Sequence, residues 1–166
     1  MALILCLETA TKVCSVCLSL DGVVIISKSV NSEKYSHAEK LNGLIMELFE
    51  NGSFSLKDID AIAVSEGPGS YTGLRIGTST AKGLCYALDK PLIAINSLKS
   101  LAELVQADGH LICPMFDARR LEVYSAIFDS DLNLIEPTRA VVIDENSYKQ
   151  YLKNSGILFI GPGANK

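Results

Sequence analysis

Residues 67–77, GPGSYTGLRIG, constrain this chain more than any other stretch. They lie between an apolar run, 59–65, and helix-forming residues that continue to Leu88, so the order dictated is strand, sharp glycine turn, helix. A helix begun this way aims free backbone N–H groups and the positive end of its dipole into the turn, which suits an anion or a closely packed backbone. Neither G-x-x-x-x-G-K-[ST] nor G-x-G-x-x-G is present, so the two common nucleotide fingerprints are missing.

Before this turn the hydrophobic period is two. Apolar runs at 3–7, 13–20 and 23–30 read as strands, and Asp21-Gly22 between the last two is a hairpin turn whose central positions need positive φ. The period then changes to that of a helix. Ser36-x-x-Glu39 reads as a capping box, Ala38, Leu41, Leu44, Ile45, Leu48 and Phe49 fall on one stripe, and Asn51-Gly52 stops the helix. A single helical turn at 55–58, a strand at 59–65, a second long helix to Leu88 and a strand at 91–95 complete the order βββαβαβ. Three hairpin-connected strands followed by alternating helix and strand make a mixed sheet covered by helices, the α/β ribonuclease H-like arrangement shared with actin-like ATPases.

Beyond residue 96 the pattern predicts a helix over 97–106, strands at 111–116 and 121–128, a short strand at 140–143, a helix over 145–153 and a strand at 157–160. The first lobe is accordingly expected at 1–96 and a second at 97–166. A strand running into Gly161-Pro162-Gly163 normally feeds another element, so the second lobe reads as incomplete.

With 48% hydrophobic and 20% charged residues the chain can bury a core and is far from the composition of a disordered segment. A net charge of −4 argues against a chain that grips nucleic acid by itself, which needs clustered Lys and Arg. The five cysteines have no paired metal-type spacing, and Cys14 and Cys17 would point to opposite faces of one strand, so reduced thiols in a cytoplasmic protein are expected. No segment reads as a membrane span or a signal peptide.

The chemistry-bearing residues are few. Helix two carries Gly73, Gly77 and Gly83, each costing about 0.5–1 kcal/mol relative to Ala. Something must approach closely there, either this chain's own elements or a partner helix. Arg75 near the turn can hold phosphate or simply be solvated. Ser70, Tyr71 and Thr72 offer hydroxyls without a base. Glu8 and Glu66, at neighbouring strand ends, resemble part of a two-metal carboxylate set that no third acid completes. His37 and His110 are the two histidines present, and His37 is expected at the surface.

LCLETAT (5–11), SVCLSLDG (15–22), SHAEKL (36–41), GPGSYTGLRIGTSTAKGL (67–84), NSL (96–98) and DARRLEVY (117–124) together resemble the bacterial TsaB family, also called YeaZ. The resemblance implies the two-lobed actin-like ATPase fold and a non-catalytic role beside TsaD in making N6-threonylcarbamoyladenosine at the tRNA adenosine 3′ of the anticodon. It also implies assembly with TsaE, self-association in isolation and only indirect contact with tRNA. The metal-binding H-x-x-x-H of TsaD aligns with Ser97 and Leu101, so no metal or catalytic residue is expected.

By the same resemblance, the partner surface is expected on the first lobe's two helices, about 36–50 and 72–88, through Leu41, Leu44, Ile45, Leu48, Gly73, Gly77 and Lys82. Thr9, Gly67, Gly69, Ser70 and Arg75 form the turn, with a phosphate or structural role left open. No cofactor is expected in the chain itself, and ATP or ADP at the TsaD interface is left open. Glu8 stands where many relatives have Asp. The alternatives are an actin-like ATPase or kinase, with the turn, Thr9 and Thr11 around phosphate, and a ribonuclease H-like nuclease.

Overall fold

The computed structural model describes residues 1–31, 37–153 and 156–166. It divides into two compact units, Met1–Ile95 and Asn96–Lys166. The first is built on a five-stranded sheet of order β3-β2-β1-β4-β5, with β1 Leu3–Glu8, β2 Val13–Leu20, β3 Val23–Asn31, β4 Ala61–Gly67 and β5 Leu92–Asn96. β1 pairs antiparallel with β2 and parallel with β4. The Asp21-Gly22 turn has the two positive φ values, 50° and 84°, that the hairpin requires.

Helices α1 (His37–Glu47) and α2 (Tyr71–Leu88) cover one face of this sheet. Alternation places Leu3, Leu5 and Leu7 beside Leu20, Leu18 and Val16 on that face, with Ile62 and Val64 continuing it across β4. The opposite face carries Ile4, Cys6 and Glu8 against Ser19, Cys17 and Ser15. Against the leucine face α1 buries Leu41, Leu44 and Ile45, and Leu48 just beyond its end joins them, each worth about 1.5–3 kcal/mol. Ser70 caps α2 by accepting from the Gly73 amide, and Asp89, left-handed at φ 54°, closes it through an N–H donated to the Cys85 carbonyl. The expected cap Ser36 lies outside the described residues. Asn51-Gly52 ends the turn after α1, with Gly52 at φ 69°.

The second unit has a four-stranded sheet of order β8-β7-β6-β9, formed by β6 Leu111–Asp117, β7 Glu122–Phe128, β8 Leu134–Val142 and β9 Ile157–Ile160. It repeats the order of the first four strands of the other sheet: a meander, then a parallel return strand beside its founder. β6 is buried on both faces, as its continuous apolar run requires. α3 (Ser97–Ala102) packs on one face with Ile112, Phe116, Ala126 and Phe128, and α4 (Lys149–Leu152) follows Tyr148, which packs on the other with Cys113, Val123 and Ile127.

The largest departures from expectation fall in the second unit. β8 begins at Leu134 rather than at residue 140, because Pro137 falls on an edge strand, where no ladder N–H is missed. α3 stops at Ala102 and α4 is only four residues long. Their predicted lengths counted apolar positions that lie outside the helices and pack in the core, Val105 and Tyr148 among them.

Candidate functional site

The glycine turn and α2 are packed from inside by the loop that follows β1. The Ser70 amide donates to the Ala10 carbonyl at 2.6 Å, and a Cβ built on Gly69 would sit 2.5 Å from that same oxygen. A Cβ on Gly73 would overlap the Thr9 carbonyl oxygen, and one on Gly77 would overlap Thr9 Oγ1. Thr9 is fully buried. The close approach that Gly73 and Gly77 permit is therefore made by Thr9 of the same chain, and their expected place at a partner surface is corrected accordingly.

Glu8 fixes this loop. One carboxylate oxygen accepts from the Ala10 amide at 2.6 Å and the other from the Ser65 hydroxyl. Glu66, next on β4, is exposed and alternates to the other face, so Ser65 and not a second acid shares Glu8's side of the sheet. Among the described residues no three His, Cys, Asp or Glu side chains gather to hold a metal ion. The carboxylate set of a two-metal nuclease is thus not assembled from Glu8 and Glu66.

The apolar stripe of α1 is corrected for the same reason as the glycines. Leu41, Leu44, Ile45 and Leu48 are only 1–5% exposed, because this chain's own sheet covers them. His37, expected at the surface, is buried at 1%. What the two helices turn outward is different: Asn42, Gly43 and Met46 on α1, and Thr72, Arg75, Ser79, Lys82, Gly83 and Tyr86 on α2. Met46 is 57% and Tyr86 92% exposed, and a Cβ on either Gly43 or Gly83 would meet nothing among the described residues within 4 Å. Arg75 stacks over the Tyr71 ring at 5.4 Å from its centroid rather than reaching into the turn.

Gly43 and Met46 were missed from sequence because they fall off the apolar stripe. The available signal was a helix-interior glycine on the polar side, where packing within the chain gives it no purpose.

In the second unit, Ser97 and Leu101 lie one helical turn apart on α3. Leu101 packs against Gly161, where a Cβ would come 2.5 Å from its Cδ2, and an aliphatic chain ligates nothing. Asn96 caps α3 by accepting from the Leu98 and Lys99 amides at 3.0 and 3.2 Å. The β6–β7 turn carries Arg119 and Arg120 at φ 73° and 48°, and Asp117 beside it is paired with Lys166 at 2.6 Å.

The family profile described as "TsaD: tRNA N6-adenosine threonylcarbamoyltransferase" matches residues 24–153. The tRNA threonylcarbamoyladenosine biosynthesis protein TsaB of Bacillus subtilis is 33% identical over 164 residues, spanning 95% of this chain and 70% of that protein. The chain belongs to the TsaB (YeaZ) family. The TsaB of Escherichia coli is likewise 33% identical, over 92% of this chain and 68% of its own length. The solved structure of YeaZ from Pseudomonas aeruginosa superposes with a TM-score of 0.75 at 29% identity, covering 86% of this chain and 68% of that one. The two mixed sheets of repeated strand order are accordingly those of the YeaZ fold. No helix among the described residues is long and apolar enough to cross a membrane.

Proposed function

We propose that this chain serves the biosynthesis of N6-threonylcarbamoyladenosine in tRNA as a non-catalytic subunit. It docks a TsaD-type transferase through the outward face of α1 and α2. The observation that carries this reading is the pair Gly43 and Gly83. Both are interior to helices, both are exposed, and neither has a neighbour among the described residues within 4 Å that its missing side chain would spare. Each costs its helix up to about 1 kcal/mol with no return among the described residues, so the return comes from a backbone or side chain pressed against it. Exposed Met46 and Tyr86 supply the adaptable and the aromatic apolar area that anchors such contacts, and Lys82 lies beside them.

The chain itself brings no catalytic group in this proposal. Glu8 spends both oxygens within its own unit, and the start of α2 is occupied by Ser70 and Ala10. An ATPase built on the Thr9 turn is disfavoured on that ground. In isolation the same face pairs two copies; in the cell, which is taken to mean the cytoplasm, TsaE joins the assembly and tRNA is reached only through the partners.

The test is co-elution with TsaD of the same cells. Gly83→Glu and Tyr86→Asp are expected to weaken the complex roughly tenfold or more while leaving the melting temperature of the isolated chain within a few degrees. Retention of the complex by both variants would remove the helical face from the proposal. A charge at Leu44 or Gly77 is no test, because it would disrupt the core before it reported on docking.

A further inference from the structure

Cys6 of β1 and Cys17 of β2 stand directly opposite each other in the antiparallel register. The Asp21 amide donates to the Ala2 carbonyl, so hydrogen-bonded pairs recur at every second position from there, and Cys6/Cys17 is one of them. The Cα atoms of such a pair are about 5.5 Å apart, within the range a disulfide spans. Both thiols are free. Both are half-buried, on the face of the sheet that α1 and α2 do not cover. Across the sheet the row reads Ser27, Cys17, Cys6, Ala63, so small side chains flank the sulfurs.

We propose that Cys6 and Cys17 form a reversible redox site, oxidised to a cross-strand disulfide by a low-molecular-weight disulfide of the glutathione class. The neighbouring Cys6 thiol holds Cys17 below the usual thiol range, which favours Cys17 as the attacking sulfur, while burial raises Cys14, Cys85 and Cys113. The Cys17 thiolate attacks one sulfur of the small disulfide, forming a mixed disulfide and expelling one small thiolate, which takes up the proton Cys17 released. Cys6 then attacks the Cys17 sulfur. The bond to the small molecule breaks, the Cys6–Cys17 bond forms, and the second small thiol leaves with the Cys6 proton. Two protein thiols lose two electrons in total, and one small disulfide gains them. A hydrogen-bonded cross-strand position holds the Cβ atoms farther apart than a relaxed disulfide prefers, which makes the bond labile and suited to reversal.

The experiment incubates the full chain with oxidised glutathione, alkylates the remaining thiols and maps the peptides. Lys12 lies between the two cysteines, so tryptic cleavage there converts the crosslink into two joined peptides. The expected result is a Cys6–Cys17 crosslink that dithiothreitol reverses, with Cys14, Cys85 and Cys113 alkylated. In Cys6→Ser, glutathione is expected to stay on Cys17 as a stable adduct; in Cys17→Ser, Cys6 is expected to remain unmodified. Alkylation of all five cysteines in the oxidised wild type, or a crosslink involving Cys14, would overturn the proposal, and the wild-type map decides even if a variant fails to fold.

Discussion

The carbonyl oxygen of Thr9 occupies the space where a side chain on Gly73 would begin. The glycine turn, which in sequence looks like a cradle for an outside ligand, is in this fold the seat of the loop between β1 and β2. The loop in turn is pinned by Glu8 through the Ala10 amide and the Ser65 hydroxyl.

The glycines of α2 are therefore expected to respond oppositely to one substitution. Gly73→Ala drives a methyl into backbone and should cost about 1–3 kcal/mol in spite of alanine's better helix propensity. Gly83→Ala meets open space and should stabilise the isolated chain by about 0.5–1 kcal/mol. Urea unfolding of the two variants beside wild type measures both signs. Equal effects would mean that Thr9 does not determine the tolerance at residue 73.

In the second unit, Tyr148 Oη and Ser125 Oγ are 2.7 Å apart, and Ser125 is only 2% exposed. Tyr148→Phe leaves a buried hydroxyl without its partner and is expected to cost about 1–3 kcal/mol. Adding Ser125→Ala should recover part of that loss, since no polar atom is then stranded. A double-mutant cycle by denaturant titration reads the coupling; strict additivity would show that the two hydroxyls do not depend on each other.

Acid sensitivity is expected at Asp117. Lys166 donates to its Oδ1 at 2.6 Å and the Arg119 amide to the same oxygen at 2.6 Å, which holds the carboxyl below the usual carboxylate range, with Lys166 the larger cause. A carboxylate whose folded value is depressed contributes its full stability above its ordinary value of about 3.9, and that contribution disappears as pH falls through the folded value. Melting temperatures from about pH 6 down to about pH 2 should thus fall less steeply in Asp117→Asn than in wild type. Parallel curves would show that the pair adds nothing on this exposed surface.

Much of the fold was legible in the chain. Asp21-Gly22 announces its hairpin through two residues that tolerate positive φ, whereas the capping roles of Ser70 and Asn96 emerge only in the fold. The missed start of β8 has an equally local cause: Pro137 argues against a strand unless that strand is known to be an edge, and edges are set by neighbours distant in sequence.

The candidate site was legible only in part. Helical period marked Leu41, Leu44, Ile45 and Leu48 as one apolar stripe, and it could not say whether the chain's own sheet or another protein covers it, because burial costs and gains are the same for either cover. In the fold the sheet takes the stripe, leaving Gly43, Met46, Gly83 and Tyr86 outward. The sequence alone determined most of the strands, the hairpin turn and the scarcity of catalytic side chains, since these depend on each residue and its near neighbours. Which face is sealed, which loop fills the glycine turn and which cysteine meets Cys17 were decided by strand register, which joins residues that no local pattern connects.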